Sequence, residues 1–172
     1  MKFYLNRYLS LLSLLLILLL IYWNPSWLSL MGYQAYWPIF WLLPWALIHG
    51  PIQSMLSGFL LGFILDTTNS DLYTQIPGLM ICGFWFGKIG GLNQFNSTPI
   101  QFGLIAAIGS LTCGVIYFSQ IIIKLLLENS PLLFFSYGVQ TIFAQVLLTS
   151  LLAPVFCKWI YFLFSKKYKL QN

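Results

Sequence analysis

The longest uncharged stretch of the chain, residues 8–65, reads YLSLLSLLLILLLIYWNPSWLSLMGYQAYWPIFWLLPWALIHGPIQSMLSGFLLGFIL. It lies between Arg7 and Asp66, and His49 is its only side chain that titrates near neutral pH. About 20 apolar helical residues cross a hydrocarbon core about 30 Å thick, so this stretch can hold more than one crossing. Backbone amides in lipid must be hydrogen-bonded internally, and unbroken Leu and Ile runs favour helices over alternating barrel strands. The stretch therefore predicts several transmembrane helices.

The rest of the chain has the same apolar composition. Of its 172 residues, 59% are apolar and 6% are charged, whereas soluble domains carry about 25% charged residues. So few charges could not cover a soluble globule, and a disordered chain would need low hydrophobicity and high charge. We therefore predict an all-α integral membrane protein, with a single transmembrane helical domain over residues 1–172.

Turn signals rich in Pro, Gly, Asn and Ser divide the apolar runs into six predicted transmembrane helices that form a compact bundle. The predicted helices cover residues 8–23, 37–48, 52–65, 77–90, 100–126 and 133–164. The first follows a basic start, but no small residues suited to signal cleavage come after it, so we expect it to stay uncleaved. The second and third are short for a full crossing, so two crossings and one re-entrant hairpin both remain open.

The basic residues fall unevenly on the two sides of such a bundle. With a cytoplasmic N terminus and six crossings, only Lys124 lies outside. Seven basic residues then lie inside: Lys2, Arg7, Lys88, Lys158, Lys166, Lys167 and Lys169. Lys and Arg are enriched in cytoplasmic loops, so we predict that both termini are cytoplasmic. Residues 66–73 and 128–131 are then on the opposite side.

Side chains that could carry catalysis are few, because the chain has one His and three acids. Asp66 and Asp71 lie in a segment of Thr, Asn and Ser, where ordinary solvation is expected. Cys82, Cys113 and Cys157 lie in separate apolar stretches without metal-ligand spacing. We therefore expect no enzymatic activity, no catalytic residues, no metal site and no cofactor. The basic residues form no stripe, which argues against nucleic acid as a partner.

Polar groups within the predicted helices are also scarce. Charged side chains at mid-membrane depth usually mark a transport path. The best interior polar residues here are Gln120, Gln140 and Gln145, and we interpret them as helix-to-helix hydrogen-bonding groups.

Small residues recur at four-residue spacing in three consecutive predicted helices. In lipid, such stripes let helix backbones approach closely. We therefore predict that the helices over residues 52–65, 77–90 and 100–126 form the tight core of the bundle. The predicted helix-packing residues are Gly58, Gly62, Gly83, Gly87, Ala106, Ser110 and Gly114.

One region carries a more specific pattern. Residues 50–91 read GPIQSMLSGFLLGFILDTTNSDLYTQIPGLMICGFWFGKIGG, and this segment resembles MreD, the rod shape-determining membrane protein family of bacteria. A short turn, a Gly-spaced helix ending in Asp, a polar loop and another Gly-containing helix are typical of that family. Gly58, Gly62 and Asp66 match its G-xxx-G-xxx-D core. The match covers about a quarter of the chain, and the remainder agrees in hydropathy.

The resemblance implies a non-enzymatic scaffold of the cell-wall elongation machinery in the bacterial inner membrane. Its implied partners are MreC first, then MreB, RodA and a transpeptidase within a larger complex, with the lipid bilayer around it. Asp66 is a candidate partner contact because it matches the Asp of the family. Three aromatic residues are further candidates for partner contact: Trp23, Trp27 and Trp37.

The same resemblance supplies an alternative function. The MreD fold looks similar to the substrate-binding membrane subunit of energy-coupling-factor vitamin transporters. Many of those subunits carry an AxxxA pattern in their first helix, and the first predicted helix here has no Ala. The scaffold interpretation is therefore preferred over a vitamin-capture subunit.

Overall fold

The structure is a computed structural model that describes residues 19, 34–68, 73–91, 98–127 and 134–168. Their regular structure is helical throughout, which confirms the predicted all-α class for this part of the chain. Five helices are formed: α1 (Trp37–His49), α2 (Pro51–Thr68), α3 (Ile76–Gly90), α4 (Pro99–Leu127) and α5 (Phe134–Tyr168). They correspond to the second to sixth predicted helices. The first predicted helix lies outside the described residues, apart from Leu19.

Proline and glycine set the helix boundaries. Pro38 lies in the first turn of α1 and Pro77 in the first turn of α3, where a missing amide hydrogen removes no helical bond. Gly50 separates α1 from α2 with a φ of 83°, a backbone conformation that glycine adopts without the steric cost of a side chain. The Ser54 hydroxyl then donates to the Gly50 carbonyl at 2.6 Å. The chain therefore reverses direction between α1 and α2.

Helix α1 is the centre of the bundle. It contacts each of the other four helices, while α2, α3, α4 and α5 follow one another around it. All residues of α1 from Trp37 to Pro44 are buried, as are Ala46 and Leu47. A helix that is apolar on every side is suited to such a position. The predicted tight core, made of the helices over residues 52–65, 77–90 and 100–126, is therefore corrected to include α1 at its centre.

Successive helices run in opposite directions. Gly62 of α2 packs on Ile76 at the start of α3, and Gly87 near the end of α3 packs on Pro51. Helix α4 likewise runs antiparallel to α5, with Gly103 against Ser150 and Gly114 against Ile142. One end of the bundle therefore carries the start of α1 and α3 and the end of α2 and α4. We call this the Asp66 end, and the opposite one the Lys88 end.

The outer surface of the bundle is apolar. Large hydrophobic side chains are exposed on all four peripheral helices, including Ile52 (73%) on α2, Ile100 (80%) on α4 and Phe143 (70%) on α5. Among the described residues, two segments are long and apolar enough to cross a membrane by length and composition: Pro99–Lys124 and Gly138–Phe162. Helices α1 and α3 are apolar but shorter, with 13 and 15 residues.

Candidate functional site

The α2–α3 contact is built on glycines from both helices. A Cβ atom on Gly58 would lie 2.9 Å from the Leu79 carbonyl carbon, and one on Gly62 would lie 2.7 Å from Ile76 Cα. A Cβ atom on Gly83 would lie 2.9 Å from the Ser54 carbonyl carbon. The neighbouring atoms are backbone, so they cannot rotate away. The structure thus brings the predicted Gly58–Gly62 and Gly83–Gly87 stripes together in one contact.

The third predicted stripe, on α4, lies elsewhere. Ala106 and Ser110 are buried, and the Ser110 hydroxyl donates to the Ala107 carbonyl of its own helix at 3.0 Å. A Cβ atom on Gly114 would lie 3.3 Å from the side chain of Ile142 on α5. This stripe therefore does not join the α2–α3 glycine contact.

A polar network closes the Asp66 end. Asp66 Oδ1 accepts a hydrogen bond from the backbone N–H of Gln75 at 2.8 Å, while Asp66 Oδ2 is buried and has no hydrogen-bond partner among the described residues. Gln75 directly precedes α3, so the carboxylate of α2 sits at the positive end of the α3 dipole. The Tyr36 hydroxyl donates to Gln75 Oε1 at 2.9 Å. Burial raises the pKa of the Tyr36 phenol, which therefore stays protonated.

Two further connections tie this network to α4 and α5. The Gln120 side chain on α4 bonds both the N–H and the carbonyl of Thr74, each at 3.0 Å. The backbone N–H of Tyr36 donates to Thr149 Oγ1 at 3.0 Å, and that hydroxyl donates to the Gln145 carbonyl at 2.6 Å. The network therefore joins α2, α4 and α5 to the segments that enter α1 and α3, through residues distant in sequence.

A cavity of about 390 Å³ lies beside this network. Its walls come from the start of α1, the start of α3, the later half of α4 and the first half of α5. Most of the cavity surface is apolar, and polar side chains are contributed by Tyr36, Thr74, Gln75, Tyr117, Thr141 and Gln145. This volume lies within the range of small-molecule sites, about 300–1,000 Å³.

The three cysteines are buried free thiols. Cys82 Sγ on α3 lies 3.5 Å from Cys113 Sγ on α4, and Cys113 also lines the cavity. Cys157 packs near the Phe40 carbonyl, with its Sγ 3.8 Å away. Within the described ranges, no three His, Cys, Asp or Glu residues group together at metal-binding distance.

The structure describes two of the four residues predicted to contact a partner, Trp37 and Asp66. Trp37 is 5% exposed and packs edge-on against Phe40 and Phe156, so its indole is enclosed by the bundle rather than presented to a partner. The Asp66 carboxylate is turned inward to Gln75. Trp37 is therefore assigned to internal packing, whereas a contact of Asp66 with another chain stays a prediction. Trp23 and Trp27 lie outside the described residues.

Sequence reasoning missed the residues that complete the network, namely Tyr36, Gln75 and Thr149. Tyr36 and Thr149 are 113 positions apart, and no local motif marks either of them. Gln120 and Gln145 are two of the three interior polar residues that the sequence predicts. Gln120 bonds a connecting segment rather than a helix, while Gln140 is exposed.

Comparison with known proteins gives no relative for this chain: no family model, no curated protein and no solved structure matches it.

Proposed function

We propose that this chain is a multi-pass membrane scaffold of the MreD type that binds MreC and helps to direct lateral cell-wall synthesis, with no turnover of its own. Its place would be the bacterial inner membrane, with MreB, RodA and a transpeptidase in the larger complex. The proposal combines the membrane character of the bundle with the sequence resemblance over residues 50–91.

The apolar outer surface supports the membrane part of the proposal. Soluble monomers rarely expose contiguous apolar patches of more than a few hundred Å². Here the exposed faces of α2, α3, α4 and α5 all carry large hydrophobic side chains, such as Leu60, Trp85, Leu104 and Leu151. Lipid covers such faces without cost to the protein. With five described helices and one further predicted helix, the bundle would have six helices, like the transporter-subunit fold that MreD resembles.

The α2–α3 hairpin is the observation that carries the family proposal. The segment that resembles MreD forms one structural unit, in which Gly58 and Gly62 pack on the backbone of α3. Asp66, one turn further along α2, bonds the segment that enters α3. The spacing G-xxx-G-xxx-D therefore has a physical role: two close contacts and one closing hydrogen bond along a single helix face.

A scaffold of this kind would act through its helix surfaces. Lipid tails are as apolar as Leu, so a partner helix gains affinity by close packing and a few hydrogen bonds rather than by water exclusion. The exposed side chains of α2, including Leu56, Phe59 and Phe63, offer ridges for such packing.

Depletion in a rod-shaped host tests the proposal. We expect rounded cells with misdirected wall synthesis, and we expect MreC to co-purify with the tagged protein from native membranes. Rescue by the wild-type chain is the control. Normal rods after depletion, with no MreC recovered, would contradict the scaffold function.

The cavity favours a second candidate, the substrate-binding subunit of an energy-coupling-factor vitamin transporter. A capture subunit needs an enclosed site of small-molecule size, and the cavity of about 390 Å³ has that size. Vitamin auxotrophy or loss of vitamin uptake in depleted cells that remain rod-shaped would support this candidate over the scaffold.

A further inference from the structure

We propose that the cavity at the Asp66 end binds an uncharged, largely apolar small molecule that carries an amide, carbonyl or hydroxyl group. This inference is independent of the scaffold proposal, and for the transport candidate it names the substrate class. It is tested on the purified protein, so its failure would leave the cellular tests of either function unaffected.

The apolar walls define the body of the ligand. Ile116, Phe118 and Ile121 of α4 face the cavity together with Ile142 of α5. Removal of apolar ligand surface from water against such side chains favours binding. Most of the binding free energy would therefore come from an apolar body.

Two carboxamides define the polar end of the ligand. Gln145 lines the cavity, and its side chain makes no hydrogen bond to any described residue. The Gln75 side chain accepts from Tyr36 through Oε1, while its NH₂ group has no partner in the described part of the chain. A carboxamide offers both donors and an acceptor. These groups would pair with an amide, carbonyl or hydroxyl of a bound molecule.

The described walls carry no charged side chain, which excludes an ionic ligand. Every described residue that lines the cavity is uncharged. A charged ligand would lose its hydration without gaining an opposite charge, which is strongly unfavourable in an apolar site. The Asp66 carboxylate is nearby in the network and bonds the Gln75 amide through Oδ1, but it does not line the cavity.

Cys113 supplies a native reporter, because it lines the cavity while Cys157 does not. We expect methyl methanethiosulfonate, a small uncharged thiol reagent, to modify Cys113 faster than Cys157 in the purified protein. The cationic trimethylammonium-ethyl analogue should modify Cys113 much more slowly. Peptide mass spectrometry compares Cys113 with Cys157, and a Cys82–Cys113 disulfide, formed when the Cys82 thiol 3.5 Å away displaces methanethiol, counts as modification of Cys113.

Competition then tests reversible binding. Benzamide, which is uncharged, should slow the modification of Cys113, whereas benzoate, its charged counterpart, should not. Monoolein, a neutral single-chain lipid, is tested in parallel, since protection by monoolein would assign a membrane-derived occupant and protection by benzamide a water-soluble one. If neither benzamide nor monoolein protects Cys113, the proposal is overturned.

Two pairs of variants on the same helices provide matched controls. Ile116→Phe fills the cavity, whereas Val115→Phe adds the same ring at an outward position that is 51% exposed. The first should reduce modification of Cys113 to the level of Cys157, and the second should leave it unchanged. Gln145→Leu should weaken the protection of Cys113 by benzamide about 2- to 10-fold, which is the effect of one hydrogen bond. Gln140→Leu should leave this protection unchanged. Thermal unfolding of each variant identifies any that is misfolded. If the two folded variants of each pair have equal effects, the proposed binding in this cavity is contradicted.

Discussion

At the scale of single residues, Asp66 shows how one side chain can join two helices. A carboxylate in the last turn of α2 is unfavourable for the dipole of that helix. The same carboxylate accepts the backbone N–H of Gln75, at the start of α3, where a negative charge is favourable. The residue therefore offsets a local cost by closing the connection between the two helices.

Substitution of Asp66 tests this role. Asp66→Ala leaves the Gln75 amide without its acceptor, so we expect a loss of about 1–3 kcal/mol in unfolding free energy. Asp66→Asn keeps an oxygen at the same place and should lose much less. Thr67→Ala is the control, because the Thr67 hydroxyl is exposed and donates to the Ile64 carbonyl of its own helix. Thermal unfolding in detergent measures all three. Equal stability of Asp66→Ala and Thr67→Ala would contradict a stabilising role for the hydrogen bond between Asp66 and Gln75.

The sequence predicted some of these residue-level features and not others. The spacing of Gly58, Gly62 and Asp66 could be recognised because one helix turn separates successive members. The inward position of Trp37 could not be predicted, since an aromatic residue near a helix end is equally suited to a membrane interface and to a protein core. The carboxylate position depends on Gln75, which lies on the far side of a connecting segment.

At the scale of helices, the α2–α3 contact is set by backbone approach. Each helix presents glycine where the other presents a carbonyl or a Cα atom, as at Gly58 against Leu79 and Gly83 against Ser54. In an apolar solvent such close approach supplies the dispersion energy and weak contacts that hold helices together. The outer face of α2 carries large side chains instead. One face of this helix therefore packs on α3, and the other is exposed.

Enlargement of one glycine should therefore separate the pair. Gly62→Leu places a side chain where the backbone of Ile76 already lies, and overpacking of this kind destabilises by about 1–3 kcal/mol. Leu60→Phe adds volume to the same helix at a position that is 58% exposed, and it should change stability little. Intrinsic tryptophan fluorescence during heating compares the two. Indistinguishable melting of both variants would contradict the close contact.

Helix positions were harder to predict than helix boundaries. Apolar runs ended by Pro and Gly predicted all five described helices to within a few residues, because the turn signals are local. The central place of α1 was missed. A helix that is hydrophobic on all sides matches lipid and protein surroundings equally well, so composition could not show that Trp37–His49 is enclosed by the other helices.

At the scale of the whole molecule, helix direction separates the polar features. The Asp66 end holds the polar network, the cavity and Lys124, while the Lys88 end holds His49 and the turn at Gly50. Lys158 lies in the later part of α5, which runs toward the Lys88 end. Two described basic residues therefore lie toward the Lys88 end and one at the Asp66 end, and the cytoplasmic position of the Lys88 end stays a prediction from the basic residues of the sequence.

Orientation can be measured with two matched cysteines. Thr74 and Thr98 are both exposed threonines, at the Asp66 end and the Lys88 end respectively, and the native cysteines are buried. We expect a membrane-impermeant maleimide to label Thr74→Cys in intact spheroplasts, and to label Thr98→Cys only after permeabilisation. The reason is the basic excess on the Lys88 side, which directs that end to the cytoplasm. Labelling of both variants from outside would show that the two ends do not lie on opposite sides, and labelling of Thr98→Cys alone would reverse the orientation.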